Sequence, residues 1–276
     1  MSVKRILAAG VFAVAGGVLL AACGGGAGSS NTTTTSAALS VPNPIVYCVD
    51  TTYPPMESIV NGSAAGADID IANAVAKQLG STAKIQTTGF DVIIPALLHK
   101  KCNAIISSMT ITPERSKSVH FTPYIDVGAF LMVKKGNPDH ITDLTSLSGK
   151  SAAVESSTTE LAGLQAENKI LAKQGKPQIT IKSYPADTAA AQAILSGHVS
   201  AYFADAPPVL YYVRKTKGDF QTAGSQIETA PEGIATRPGD PLGPQINNAI
   251  QALYLNGKMK QILAKWQASQ FALKNG

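Results

Sequence analysis

The 276-residue chain predicts an α/β protein built as two lobes, each a mostly parallel sheet flanked by helices, with a cleft between the lobes. Three observations lead there. Short β-rich runs alternate with segments of helical apolar spacing, the pattern of parallel βαβ units. The alternation occurs once between Pro44 and Ser108 and again between Ser151 and Asp205. Two helix-to-strand joints are also alike, Leu98-His99-Lys100-Lys101-Cys102-Asn103-Ala104 and Leu195-Ser196-Gly197-His198-Val199-Ser200-Ala201. Two small lobes of similar build are therefore expected, rather than one large sheet.

The elements follow in order. Pro44-Ile45-Val46-Tyr47-Cys48-Val49 is a β-rich run that ends at Asp50-Thr51-Thr52. Asp68 to Gly80 has apolar residues at Ile71, Ala72, Val75 and Leu79 and a glycine stop, which predicts a helix. Lys84 to Thr87 reads as a strand. Asp91 to Lys100 reads as a helix, with Pro95 tolerable only near its start. Asn103 to Ser108 is a strand. In the second half, strands are expected at Ser151–Val154, Ile179–Tyr184 and Val199–Asp205, and helices at Thr158–Gln174 and Asp187–Leu195. Open parallel sheets take ligands beyond the carboxyl ends of their strands, so the cleft between lobes is the expected site.

Residues 1–22 read as a leader. Lys4 and Arg5 precede an apolar run from Ile6 to Leu20, about 15 residues, short of the roughly 20 needed to span a bilayer. The run ends in Leu20-Ala21-Ala22-Cys23, which resembles the bacterial lipobox, after which the new N-terminal cysteine is diacylated. Cys23 is thus the expected lipidation site, and two acyl chains hold a protein at a membrane surface without a spanning helix. An uncleaved anchor helix is the competing reading. Residues 23–43 carry Gly, Ser, Thr, Asn and Ala without charge and read as a flexible tether. The remaining boundaries are 44–128 for the first part of lobe one, 129–229 for lobe two and 230–276 for the C-terminal return to lobe one.

Composition excludes several classes. Charged residues are 15% and hydrophobic residues 45%, which fits a folded protein and neither a disordered chain nor a coiled coil. The net charge is +5, and +3 without Lys4 and Arg5, too mild and dispersed for a nucleic-acid footprint. Cys23, Cys48 and Cys102 form no CxxC, and the four histidines form no HExxH, so no metal site is expected. Export favours disulfides, but spacing alone does not bring Cys48 and Cys102 together.

The densest chemical signal is Ser107-Ser108-Met109-Thr110-Ile111-Thr112-Pro113-Glu114-Arg115. Thr112 suits an N-cap, Pro113 the first helical position and Glu114 the first turn, which sets Arg115 beside the free N–H groups of a helix start. A fork-shaped cation there suits a carboxylate. Ser157-Thr158-Thr159-Glu160 reads as a capping box whose donors also face an anion. Asp205 ends an apolar strand and suits an ammonium group. The alternatives are a solvated arginine, an ordinary cap, and an aspartate capping the turn at Ala206-Pro207-Pro208.

Together these residues resemble the family 3 extracellular solute-binding proteins, the amino-acid-binding lipoproteins of ABC importers. Tyr53-Pro54-Pro55-Met56 echoes the family's aromatic-Pro-x-Phe, and Gly66-Ala67-Asp68-Ile69-Asp70-Ile71 its Gly-Phe-Asp-x-Asp-Leu. Phe90 to Leu97 matches aromatic-x-x-x-Ile-Pro-x-Leu, and Thr112 to Arg115 followed by Phe121-Thr122-Pro123-Tyr124 matches Thr-x-x-Arg with Phe-[Ser/Thr]-x-x-Tyr. Leu147-Ser148-Gly149-Lys150 and the tail from Gly257-Lys258 to Lys265-Trp266 match further motifs. Asn103 and Ser200 replace the aspartates usual in the two joints, and Met56 and Ala67 replace two phenylalanines near the cleft.

The resemblance implies a two-lobed periplasmic-binding-protein fold of type II, with no catalytic residues and no cofactor. It places the ligand's carboxylate on Arg115 and the N–H groups of Thr110 and Thr159, with Ser107 and Thr158 alongside. It places the ammonium on Ser108 and Asp205, and the side chain between Tyr53 and Phe90 with Asp50 at its far end. The implied protein is an exported, lipid-anchored monomer at the outer face of the cell membrane or in the periplasm. It captures a free polar or basic amino acid and delivers it to an ABC permease. Its lobes close about crossings near Ile125–Ala129 and Thr229–Gly233. A dehydratase on the same scaffold is a competing reading, although no paired acids and no Ser/His/Asp set stand out in the sequence. A sensor is a third, and the sequence shows no fused signalling segment.

Overall fold

The computed structural model describes residues 40–274. The leader, Cys23 and most of the tether lie outside them.

The first lobe opens with β1 (Ile45–Val49), nearly all of it buried, as befits a parallel strand covered on both faces. β2 (Thr52–Tyr53), β3 (Glu57–Val60) and β4 (Ser63–Ala65) form a small antiparallel sheet of their own. These strands are too short to show a period of two in the sequence. Asn61 and Gly62 join β3 to β4 as a two-residue turn with φ of 51° and 78°. An Asn-Gly pair reaches that left-handed region at little cost. α1 (Ala67–Gln78) buries Ile71, Ala72 and Val75, the apolar face read from the sequence. β5 (Ala83–Thr87) follows. The helix expected at 91–100 is α2 (Ile93–Leu98), preceded by a single 3₁₀ turn at Phe90–Val92, so that Pro95 falls in the first α-helical turn. β6 is only Ala104–Ile105, shorter than the expected 103–108. α3 (Pro113–Ser116) is one turn.

β7 (His120–Lys134) then runs 15 residues out of the first lobe. The second lobe contributes β8 (Ser151–Glu155), α4 (Thr159–Lys173), β9 (Thr180–Tyr184), α5 (Asp187–Leu195), β10 (Ala201–Asp205) and α6 (Ala206–Lys215). β11 (Phe220–Thr236) returns over 17 residues. α7 (Leu242–Leu255) and α8 (Lys258–Lys265) pack back on the first lobe.

The main sheet has the order β5-β1-β6-β11-β7-β10-β8-β9. β5, β1 and β6 are parallel, and so are β10, β8 and β9. Between the two sets, β7 and β11 pair antiparallel from His120 with Thr236 to Lys134 with Phe220. Two separate lobe sheets were the expectation, and this corrects it. Both chain crossings are extended strands, they hydrogen-bond to each other, and each outer edge accepts one lobe's strands. The pairing slips at three bulges, between Ala223 and Ile227, Ile227 and Thr229, and Glu232 and Gly233. Bulges increase local twist and bend a ribbon. Two of the three fall where the crossings were placed from the sequence.

Each lobe keeps its own core. Ile45, Tyr47, Ile71, Val75, Tyr124, Ile246 and Leu263 belong to one cluster. Leu131, Val154, Leu164 and Phe203 form a second, and Ala190, Ile194, Tyr202 and Val209 a third. Met56 and Ala67 are fully buried in the first cluster, behind the cleft, so their replacement of phenylalanine changes the core and not the pocket wall. Asn103 Oδ1 accepts from the N–H of Val46 at 2.8 Å, which gives that joint a structural task. Lys265 Nζ and Trp266 Nε1 both donate to Asp70 Oδ2 at 2.7 Å, tying the closing Lys-Trp motif to α1.

Cys48 and Cys102 form a disulfide with Cα atoms 5.7 Å apart, linking β1 to the joint before β6 across 54 positions of sequence. Closing a loop of that size removes about 4 kcal/mol of unfolded-state entropy. Reduction, or Cys48→Ser with Cys102→Ser, is expected to lower the unfolding free energy by up to about 4 kcal/mol. Denaturant titration with and without reductant measures this, and superimposable curves would show that the bond adds nothing.

Candidate functional site

A small, largely closed cavity lies where the carboxyl ends of β1, β6, β8 and β10 meet. Asp50, Tyr53, Phe90, Ser107, Ser108, Thr110, Arg115, Thr158, Thr159 and Asp205 all line it. The fold thus gathers all ten residues singled out in the sequence around one space, from segments as far apart as Asp50 and Asp205.

Arg115 owes its place to the α3 turn. Thr112 Oγ1 accepts from the Arg115 N–H at 3.1 Å, and Pro113 takes the first helical position. The guanidinium stands over the Phe90 ring, 5.3 Å from its centroid. It donates to the Thr110 carbonyl at 2.8 Å and, across the cleft, to the Ser157 carbonyl at 3.0 Å. The picture of Arg115 beside free N–H groups of its own helix needs correction, since α3 has four residues and Thr112 closes its start. A guanidinium has five N–H donors, so these two bonds leave capacity for a carboxylate.

The start of α4 is shifted by one residue from the expected capping box. Thr158 is the cap, accepting from the Leu161 N–H at 3.2 Å, and Ser157 sits in the left-handed region at φ 63°. Thr159 is the first helical residue, and its N–H has no acceptor within the helix. Glu160, displaced from the box position, is buried and lines the cavity.

Asp205 precedes α6, yet its carboxylate makes no capping bond to that helix. Its Oδ2 accepts from the Tyr53 hydroxyl at 2.9 Å, and its N–H donates to the Tyr53 oxygen at 3.2 Å. Tyr53 therefore has a polar task as well as a ring. Ser108 is buried with φ 39°, strain of the kind held at functional sites. Its N–H donates to Asp68 Oδ2 at 2.9 Å, while no donor or acceptor meets its Oγ. Ser107 Oγ accepts from the Asp50 N–H at 2.9 Å and donates to Glu57 Oε1 at 3.0 Å. The Asp50 carboxylate accepts from the Thr52 N–H at 3.1 Å and the Phe90 N–H at 2.8 Å.

Three lining residues were not singled out as site residues in the sequence: Glu57, Glu155 and Glu160. Glu155 ends β8, and the rule that ligands sit beyond strand ends is the signal that points to it. Paired acids, absent as a sequence motif, are assembled in space. Glu155 of the second lobe interacts with Asp50 of the first, and Asp205 with Glu160. Burial, then Asp187 and Asp50, push Glu155 up to about 10. Burial, then Glu160, holds Asp205 well above the carboxylate range. Burial is also the main cause that lifts Asp187 to about 8, while its bond from the Tyr202 hydroxyl at 2.5 Å opposes the shift.

Further bonds cross the cleft. The Asp187 N–H donates to Thr52 Oγ1 at 3.1 Å, and Thr110 and Thr159 bring their hydroxyls within 3.5 Å. The lobes are closed on each other in this structure.

The sequence pattern of the bacterial extracellular solute-binding proteins, family 3, matches residues 45–269. The chain belongs to this family. This family 3 protein is 33% identical over 231 residues to the ABC transporter arginine-binding protein 1 of Escherichia coli (strain K12), covering 80% of this chain and 90% of that one. It is 30% identical over 237 residues to the ABC transporter glutamine-binding protein GlnH of Bacillus subtilis (strain 168), covering 83% of each. Among solved structures it resembles an ancestral arginine-binding protein bound to arginine, with a TM-score of 0.75, 34% identity and coverage of 82% and 98%. The two-lobed periplasmic-binding-protein fold expected from the sequence is the fold of these relatives.

Closure of this family 3 protein has a pH dependence with a definite sign. Glu155 is pushed up to about 10 partly by Asp50, which meets it from the other lobe, and opening removes that neighbour. The closed form therefore holds this proton to higher pH than the open form, so closure without ligand is favoured in mild acid and weakened as pH rises toward 10. Small-angle scattering of the ligand-free protein should give a smaller radius of gyration at pH 5 than at pH 8. A radius that shrinks with rising pH would reverse the assignment.

Proposed function

We propose that this is the substrate-binding component of an ABC importer and that it captures a cationic α-amino acid. One observation carries the choice of ligand. Five carboxyl groups line the cavity, on Asp50, Glu57, Glu155, Glu160 and Asp205, against a single guanidinium on Arg115. Buried carboxylates demand partners, and leaving one unpaired is costly. A neutral zwitterion brings one charge of each sign and leaves that acid excess in place. A cationic amino acid brings a second positive group.

In this reading Arg115 receives the ligand's carboxylate, with the N–H groups of Thr110 and Thr159. Asp205 and the partnerless Ser108 Oγ receive the ammonium. Arg115 and Asp205 come from opposite lobes, so a bound amino acid bridges them and only the closed form meets both of its charges. The relatives named for arginine and for glutamine support an amino-acid head group as the common element, with the side-chain end left to vary. Their names are those of binding proteins, and the site is read as one for binding rather than turnover.

The test is calorimetry with L-arginine, L-lysine, L-glutamine and L-glutamate on the wild type and on Arg115→Lys. Arginine or lysine should bind tightest. Arg115→Lys should lose roughly 10- to 100-fold in affinity, about 1.5–3 kcal/mol, because an ammonium cannot make the paired bonds of a guanidinium. An unchanged dissociation constant would remove Arg115 from the site, and a preference for glutamate would overturn the cationic ligand.

The placement at a membrane rests on the lipobox. Among the described residues no helix is long and apolar enough to cross a bilayer. Cys23→Ala is expected to release the protein from the membrane fraction while leaving its amino-acid affinity unchanged. Variant protein that still sediments with membranes would rule out the acylated cysteine as the anchor.

A further inference from the structure

Resting on the reading of the cavity as an amino-acid site, we propose that Glu155, rather than Asp50, meets the positive end of the ligand's side chain and sets the preference for a cationic amino acid. Asp50 is the position that the family resemblance suggests for this task. Its carboxylate is already engaged, accepting from the Thr52 N–H at 3.1 Å and from the Phe90 N–H at 2.8 Å. Glu155 differs. It is 4% exposed and lines the cavity, and although the Asp187 backbone and Asp50 reach its carboxyl group, no donor reaches its Oε1, whereas both Asp50 oxygens are engaged. A buried acceptor without a donor, facing a cavity, calls for a donor from a ligand.

The charges are arranged to suit a ligand with two positive ends. Arg115 lies in the field of Glu160, Asp205 and Glu232. Glu155 lies in the field of Asp187 and Asp50. One set of acids thus gathers around Arg115 and another around Glu155. The second group is no metal site, since among the described residues no three His, Cys, Asp or Glu side chains are placed to hold an ion. A guanidinium or ammonium at the ligand's far end neutralises the second group directly.

Without ligand, the titratable groups facing Glu155 are Asp50 from the loop after β1, Asp187 from α5, Tyr202 from β10 and its β9 neighbour Tyr184. Two are acids and none is a cation, so in the closed cleft Glu155 carries a proton at neutral pH and interacts with Asp50 as its donor. In the closed complex a ligand cation takes the place of that proton, which is left to solvent. Proton and ligand cation therefore compete for one carboxyl group, and the preference for a cationic amino acid over a neutral isostere rises with pH.

The test compares L-arginine with L-citrulline, which has nearly the same shape without the charge, on wild type, Glu155→Gln and Asp50→Asn. Wild type should prefer arginine by tenfold or more. Glu155→Gln should lose at least tenfold for arginine and less than threefold for citrulline. Asp50→Asn should weaken both ligands alike, because it loosens the Thr52 and Phe90 backbone. Calorimetry at pH 7 in buffers of different ionisation enthalpy should show that wild type holds about one proton fewer with arginine than with citrulline. With Glu155→Gln the two ligands should give the same count. The wild-type difference stands even if the variant folds poorly. An arginine-to-citrulline preference untouched by Glu155→Gln, or equal proton counts for the two ligands on the wild type, overturns the role of Glu155. Citrulline or glutamine bound in preference to arginine also overturns it, and leaves the head-group reading intact. No binding of any amino acid by the wild type would overturn both.

Discussion

The pairing of β7 with β11 joins three parallel strands of one lobe to three of the other, and the rest of the architecture hangs on it. A parallel strand must be covered on both faces, so each set of three needs its own helices and its own core. The ribbon lets both sets share one ladder without sharing a core. Its bulges interrupt the ladder midway, between the two sets of parallel strands. Every cleft residue is therefore held by the core of its own lobe. That suits a site whose Arg115 and Asp205 stand on opposite sides.

Closing the cleft sets up an electrostatic problem that the ligand resolves. Glu155 and Asp205 are buried in the closed cleft, and the groups that face them are themselves acids. Protons meet the demand in part, which is why the carboxyl groups are held above their ordinary range. Hydroxyls meet more of it, through Tyr53 on Asp205 and Tyr202 on Asp187. Among the cavity-lining groups, Ser108 Oγ, Glu57 Oε2 and Glu155 Oε1 remain without partners. The site is thus incomplete in a particular way, short of positive charge and of hydrogen-bond donors.

Several parts of this were legible in the sequence because they are local. The βαβ rhythm, α1, α4 and the Thr112 cap follow from apolar spacing and capping chemistry that act within a few residues. Ten cavity residues were named from capping and strand-end signals and from the family resemblance, and the fold brings them together. Other parts were not legible. β2 to β4 are too short for periodicity. The cap of α4 moved by one residue because Ser157 adopts a left-handed backbone and turns its carbonyl to Arg115 of the other lobe. Met56 and Ala67 sit beside site motifs along the chain but pack behind them in space.

The sequence by itself determined the two-lobed α/β class, the family, and Arg115 and Asp205 as candidate ends of one site, since these are written in short-range patterns. Only the tertiary structure decided that the two sheets form one ladder, that Cys48 bonds to Cys102, and that both Asp50 oxygens are engaged while Glu155 Oε1 is not. Those outcomes depend on which distant groups approach within about 3 Å of one another, the range of a hydrogen bond. Periodicity reports the face on which a residue lies and says nothing of the partner it will meet.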